Sequence, residues 1–207
     1  VQLAIIWYVT LQTSSGIWVT ILTLCSFIPQ MVISIFAGVL VDRYNRKNLI
    51  IISDSVIALA TLLLALRLMN NTHTKMNLTY IIIVSFIRSL SSGLQTPAVN
   101  AVIPQLVPKE NLLKFNGING SIQSAIQFTA PAISGFLMSF GSIYGILFID
   151  VITATIGTAL LVPIKIPSLI RSQTRVSFLS EMKEGFSYVF HNREVVTLFA
   201  KYGIYIF

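Results

Sequence analysis

The sequence predicts an all-α protein, a polytopic transmembrane helical bundle. Of its 207 residues, 55% are hydrophobic and only 10% are charged, whereas soluble domains carry about 25% charged residues. A chain of this size cannot cover a water-facing surface with so little charge, but a lipid-facing surface needs no such cover. The hydrophobic residues also form long runs that are separated by short polar gaps. Together these features favour several membrane-spanning helices.

The apolar runs set the number of spans. Crossing about 30 Å of hydrocarbon takes about 20 residues of helix. Val1–Thr10 is predicted to be the end of a first span, and 195–207 the start of a seventh. Because both ends fall inside apolar runs, we expect this chain to be part of a longer protein. The five runs of full length, spans two to six, are Ile17–Leu40, Leu49–Met69, Leu78–Ile103, Phe115–Phe140 and Ile143–Ile164.

These runs predict three parts of the chain. Residues 1–164 form the N-terminal transmembrane bundle, 165–194 a cytoplasmic linker, and 195–207 the start of span seven. Apolar residues recur at helical spacing between Pro167 and Arg193. This pattern predicts an amphipathic helix on the inner membrane face or against the bundle. A partner-binding helix is the alternative.

The basic residues predict the orientation in the membrane. The formal net charge is +7, which in a soluble protein would suggest a nucleic-acid partner. Here the basic residues lie between apolar runs, so no nucleic acid is expected. The gap after span two holds Arg43, Arg46 and Lys47, whereas the next gap holds only Lys75. Because Lys and Arg concentrate in cytoplasmic loops, we expect the basic gaps and the N-terminus to be cytoplasmic.

The gap after span two has further features that suggest a conformational latch. Gly38 has no side chain, so a neighbouring helix could approach closely. Asp42 ends span two, an unfavourable place for an anion because of the helix dipole. It therefore needs a partner, either the nearby cations or the N-terminus of another helix. Such a cluster could hold one conformation and release in the other. The alternative is simple anchoring by the three cations.

The segment from Gly38 to Lys47 resembles motif A of the major facilitator superfamily, Gly-x-Leu-Ala-Asp-Arg-x-Gly-Arg-Lys. It also lies where that motif belongs, between spans two and three. The departure is Asn45, which replaces a glycine of the motif. Asn tolerates a left-handed backbone better than most residues, so we expect the turn to survive.

A second segment, in span five, resembles motif C, the antiporter motif, whose core is Gly-Pro-x-x-Gly-Gly. Pro131 removes a backbone donor and bends the helix. The small residues Ala130, Ser134 and Gly135 would permit close packing around the bend. The resemblance implies export rather than import. An ordinary proline kink is the alternative.

Arg88, Asp150 and Asp54 lie well inside full-length spans, where a charge must be paired or neutralised. Arg88 lies near mid-membrane in span four, and Gly93 five residues on makes a loose match to motif B of the same family. Asp150 in span six lies at similar depth, so a pair is possible. Asp150 could couple transport to protons or form a static ion pair. Asp54, in span three, is expected to support the cluster at Asp42–Lys47.

The resemblance extends over nearly the whole chain. Residues 86–104, the pair Val107-Pro108 and residues 181–185 resemble the macrolide-efflux branch of the superfamily, with siderophore exporters as kin. The resemblance implies the N-terminal six-helix half of a major facilitator. It also implies export of amphipathic, macrolide-like drugs by proton-coupled alternating access at the cell membrane. The other expected partners are the lipid bilayer and the C-terminal half of the same transporter.

The resemblance further implies that spans one, two, four and five line the substrate cavity. The polar candidates there are Gln95, Asn100, Gln123 and Gln127. Gln123 and Gln127, four residues apart, share one helix face. Hydrogen bonds between helices are the alternative role for all four side chains.

No enzyme, cofactor or metal is expected. His73 and His191 lie in separate gaps on opposite sides of the predicted membrane, so they cannot form one metal site. The sequence has no Gly-x-x-x-x-Gly-Lys segment for ATP phosphates. Two rival interpretations remain: transport of a siderophore or metabolite, and a non-transporting scaffold or sensor.

Overall fold

The computed structural model describes residues 1–70, 74–164, 166, 187, 191–192, 194–198 and 201. The chain divides into two compact units, Val1–Ser168 and Leu169–Phe207. In the second unit, residues 194–198 are helical. Most of the amphipathic helix predicted for 167–193 and most of the seventh span lie outside the described residues. The predicted domain boundaries therefore stay predictions.

The first unit is a bundle of α-helices. A short 3₁₀ turn at Lys109–Asn111 precedes the fifth helix, and no described residue is in a β-strand. The predicted all-α class is confirmed. The helices are α1 (Gln2–Thr13), α2 (Gly16–Arg43), α3 (Arg46–Asn70), α4 (Thr74–Leu106), α5 (Leu112–Phe140) and α6 (Ile143–Leu161).

Predicted spans one to six correspond to these six helices, with differences at α1 and α5. Among the described helices, α2, α3, α4 and α6 are long and apolar enough to cross a membrane. α1 has 12 residues and is too short for a complete span. α5 has 29 residues but is not apolar enough for this class, because Asn, Gln, Ser and Thr interrupt its apolar residues. The expected span in 115–140 is therefore met in length but not in composition.

Local chemistry explains where the first helices end. α1 ends at Ser14, which takes a left-handed conformation with φ of 47°. The α2–α3 turn is closed by Asn45, whose side-chain oxygen accepts hydrogen bonds from the backbone N–H groups of Lys47 (3.0 Å) and Asn48 (3.3 Å). Asn45 therefore caps the first turn of α3 and satisfies donors that have no partner within the helix.

The packed core lies where α1, α2, α3, α4 and α6 meet. Each of these helices contributes one large side chain that is at most 1% exposed: Ile5, Leu22, Leu64, Ile81 and Leu147. A smaller cluster near the α2–α3 turn contains Val41, Ile50, Ala98 and Val102. Many large apolar side chains lie outside both clusters, such as Phe27 at 63% and Met31 at 71% exposure. An outer surface of this kind suits contact with lipid.

α5 is attached to the bundle at its C-terminal end. No residue from 112 to 133 is buried. Ser134 is 7% exposed, and Leu137 and Met138 pack against the main core. The helix is therefore held through its last two turns.

Candidate functional site

The α2–α3 turn is tied to α4 through Arg46. Its Nη2 lies 3.3 Å from Asp42 Oδ1, and its Nη1 donates to the backbone oxygen of Ala101 at 2.7 Å. The Asp42 side chain is 60% exposed, so this ion pair contributes at most about 1 kcal/mol. The shorter bond to the Ala101 carbonyl joins the turn to α4.

The same turn is tied to α6 through Lys47. Its Nζ donates to the backbone oxygens of Val162 (2.5 Å) and Ile164 (2.8 Å), just beyond the last residues of α6. The last carbonyls of a helix have no partner within it, and a cation there is favourable. The turn between α2 and α3 thus holds the ends of two other helices.

The turn is retained with Asn45, as expected, but the close helix approach predicted at Gly38 is wrong. Asn45 is not left-handed, because Ser14 alone has a positive φ among the described residues other than glycine; Asn45 serves instead as a helix cap. No helix among the described residues closely approaches Gly38, since a Cβ added there would meet nothing within 4 Å.

The close helix approach occurs at Gly93 of α4 instead. A Cβ added there would lie 2.7 Å from the backbone oxygen of Gln30 and would collide with the side chain of Ile33. Only glycine therefore fits between α4 and α2 at this point. The sequence signal was the loose motif B match, which drew attention to Gly93 without revealing its neighbour.

Beside Gly93, a serine of α4 joins the hydrogen-bond ladder of α2. Ser89 Oγ accepts from the backbone N–H of Gln30 (2.9 Å) and donates to the backbone oxygen of Ser26 (2.5 Å). In a regular helix these two backbone groups bond to each other. Pro29 disturbs the ladder here, because proline has no N–H and its ring crowds the preceding turn. The Ser89 hydroxyl bridges the disturbed turn. Sequence reasoning missed this role.

Deep in the bundle, Arg88 and Asp150 form an ion pair between α4 and α6. Arg88 Nη1 lies 2.6 Å from Asp150 Oδ2, and the two side chains are 13% and 21% exposed. The structure thus brings together the two charges that the sequence placed at similar depth.

Thr61 of α3 completes this cluster. It is fully buried, accepts a hydrogen bond from Arg88 Nη1, and lies 3.3 Å from Asp150 Oδ2. Its hydroxyl is also 2.7 Å from the backbone oxygen of Ile57. Sequence reasoning missed Thr61, although it is the single polar residue in the apolar stretch 56–66.

Asp54 was expected to support the cluster at Asp42–Lys47, but its described contact is with α4. Gln95 Nε2 donates a hydrogen bond to Asp54 Oδ1, and both residues are half-buried. Asp54 is therefore tied to α4. Gln95 was a candidate for the substrate cavity. It instead makes a hydrogen bond between helices, which was the alternative role.

The remaining candidate residues are not gathered into one site. Asn100, Gln123 and Gln127 are exposed. In the motif C-like segment, Pro131 is exposed, and Ala130 and Gly135 are half-buried. Gly135 has open space where a Cβ would lie. The close packing expected around the bend thus rests on Ser134.

The sequence of the chain matches a known family. Residues 2–207 match the family model described as Major Facilitator Superfamily. The chain belongs to the major facilitator superfamily. The predicted resemblance is confirmed, and the chain is part of a multi-pass membrane transporter family rather than an enzyme family.

Individual relatives agree with this family. Macrolide efflux protein A of Streptococcus pyogenes is 35% identical over 208 residues, which cover 100% of this chain and 51% of that protein. Macrolide efflux protein A of Enterococcus faecalis is 35% identical over 188 residues, covering 90% of this chain and 57% of that protein. The Staphyloferrin A transporter of Staphylococcus aureus is 25% identical over 138 residues, covering 67% of this chain and 34% of that protein. The chain spans about half the length of the curated relatives it matches.

Proposed function

We propose that the complete protein is a secondary active transporter that exports amphipathic, macrolide-like drugs from the cell. The observation that carries this proposal is the 35% sequence identity to macrolide efflux protein A, which extends over the whole chain. The substrate path of such a carrier lies between two halves. We therefore assign the export activity to the complete protein and not to residues 1–207 alone.

We propose further that export proceeds by alternating access and is driven by protons. The α2–α3 turn supports the first part. Arg46 and Lys47 hold backbone oxygens at the ends of α4 and α6. Such contacts can be exchanged for water without leaving a buried charge, so they suit a latch that opens and closes. The basic charge of this turn favours a cytoplasmic position for it and for the N-terminus.

Drug accumulation in cells tests the proposal. The full-length gene is expressed in a macrolide-sensitive bacterial strain that lacks its own efflux pumps. We expect lower accumulation of a radiolabelled macrolide than in cells with an empty vector, and we expect a protonophore to remove the difference. Equal accumulation in the two strains, at verified expression in the membrane, would contradict drug export. An unchanged difference with the protonophore present would contradict proton coupling alone.

The similarity to the Staphyloferrin A transporter favours a second candidate, transport of staphyloferrin A. Its lower identity and shorter coverage make it the weaker candidate. The same cells can be assayed for movement of radiolabelled staphyloferrin A across the membrane. Movement of this molecule without macrolide export would reverse the order of the two. A scaffold or sensor would show neither activity, and resistance would be unchanged in the Asp42→Asn and Asp150→Asn variants.

A further inference from the structure

The two carboxylates inside the bundle have different partners. Asp150 lies 2.6 Å from the guanidinium of Arg88, so its negative charge is compensated. Asp54 accepts a hydrogen bond from the neutral amide of Gln95. An amide orients a carboxylate but supplies no compensating charge. The two residues therefore differ in the chemistry they can perform.

The cations nearest to Asp54 along its own helix are used elsewhere. Arg46 and Lys47 are eight and seven residues away, or about 12 and 10 Å along the α3 axis. Arg46 is bound to Asp42 and to the α4 carbonyl at Ala101, and Lys47 to the carbonyls that follow α6.

The described helices around α3 bring no further cation to Asp54. On α4, Arg88 is seven residues before Gln95, about 10 Å along the axis, and is bound to Asp150. On α6, the charged residue is Asp150 itself. On α2, Asp42 and Arg43 lie at the same turn as Arg46. Among the described residues, the contact made by the Asp54 carboxylate is thus the bond from Gln95.

A carboxylate in a region of low dielectric without a nearby cation can remove its charge by binding a proton. The Gln95 amide can keep its bond in both states, because a protonated carboxyl retains an oxygen that accepts. Loading and unloading a proton would then leave the α3–α4 contact in place. Asp150 has no such freedom, because neutralising it would leave Arg88 buried without a counter-ion.

We propose that Asp54 is the proton-binding site of the exporter, with Gln95 as its positioning residue and Arg88–Asp150 as a static ion pair. This inference rests on the proposed function. In each cycle one proton adds to the Asp54 carboxylate from outside, giving a neutral carboxyl. The same proton leaves to the cytoplasm after the carrier changes state, and one substrate moves outward. No covalent bond other than O–H forms or breaks.

Transport by the full-length protein in proteoliposomes tests the assignment. One assay measures uphill macrolide transport driven by a pH gradient. The other measures exchange of labelled for unlabelled macrolide without a gradient. We expect Asp54→Asn, which mimics the neutral state, to lose uphill transport but keep exchange. Asp54→Glu should regain uphill transport. Gln95→Leu should shift the pH profile of uphill transport. Uphill transport by Asp54→Asn at the wild-type rate would overturn the proposal.

Infrared spectroscopy gives a readout that does not depend on transport. Purified full-length protein is titrated with acid while the C=O stretch of protonated carboxyl groups is recorded. We expect a band in the wild type that is missing in Asp54→Asn and present in Asp150→Asn, with size-exclusion profiles verifying the fold of each variant. An unchanged band in Asp54→Asn would overturn the proposal even if macrolide export itself is confirmed. A wild type that transports no macrolide, yet shows this band difference, would sink the proposed function while leaving Asp54 as a proton site.

Discussion

The interior of the bundle and the α2–α3 turn contain the same kinds of residue in opposite surroundings. Each has an Arg–Asp pair: Arg88–Asp150 in the interior at 2.6 Å, and Arg46–Asp42 at the turn at 3.3 Å. The interior Asp is 21% exposed and the turn Asp 60%. Burial makes the first pair costly to break, whereas solvent makes the second easy to exchange. The interior pair therefore suits a fixed brace and the turn a latch.

The largest expected effect comes from breaking the interior pair. Asp150→Leu leaves Arg88 buried without a counter-ion, and we expect a loss of about 3–5 kcal/mol of stability. The double variant Arg88→Leu/Asp150→Leu removes both charges and should regain most of that loss. Thermal unfolding of the full-length protein in detergent, followed by tryptophan fluorescence, measures both variants.

The control for this experiment is the pair at the turn. Asp42→Leu removes one partner of an exposed ion pair and should cost at most about 1 kcal/mol. Equal destabilisation by Asp42→Leu and Asp150→Leu would contradict the distinction between brace and latch.

The two glycines give a second, smaller contrast. Gly93→Ala places a methyl group against Gln30 and Ile33, and we expect overpacking to cost about 1–3 kcal/mol. Gly38→Ala, with open space around the new methyl group, should be neutral or more stable by up to about 1 kcal/mol, because alanine favours helix. The midpoint of thermal unfolding tests both. A larger loss for Gly38→Ala would mean that another state of the carrier brings a helix against Gly38.

The sequence predicted the helices well because apolar runs of span length carry their own signal. All five full-length runs lie within α2 to α6, apart from the last three residues of the run that ends at Ile164. The turn at Asp42–Lys47 was equally legible, since its residues are neighbours in the chain. α5 has the predicted length, but the polar residues within its run make it less apolar than predicted.

Contacts between distant residues were not legible in this way. Thr61 and Ser89 look like ordinary polar residues of a span, and their roles depend on α6 and α2 packing beside them. Gly38 and Gly93 are identical in sequence terms, yet the packing of α2 against α4 separates them. Asp54 was assigned to the turn because both lie near the same end of α3, whereas α4 supplies its actual partner. The charge pattern suggested which residues matter but not which ones meet.

The α2–α4 seam offers the finest test of what the interior does with a polar group. Ser89 and Ser85 lie one turn apart on α4 and are 5% and 1% exposed. Ser89 bridges the α2 ladder at Gln30 and Ser26, whereas Ser85 Oγ is a buried oxygen without a hydrogen-bond partner among the described residues.

We expect Ser89→Ala to cost about 1–2 kcal/mol, because a backbone N–H loses its acceptor in a region without water. Ser85→Ala should be neutral or stabilising, because it removes an unsatisfied hydroxyl. Thermal unfolding compares the two variants, and amide hydrogen exchange at Gln30 locates the change. Faster exchange there in Ser89→Ala alone is the expected result. Equal effects of the two variants would mean that the hydroxyl of Ser89 is only a filler of the seam and that Pro29 needs no bridge.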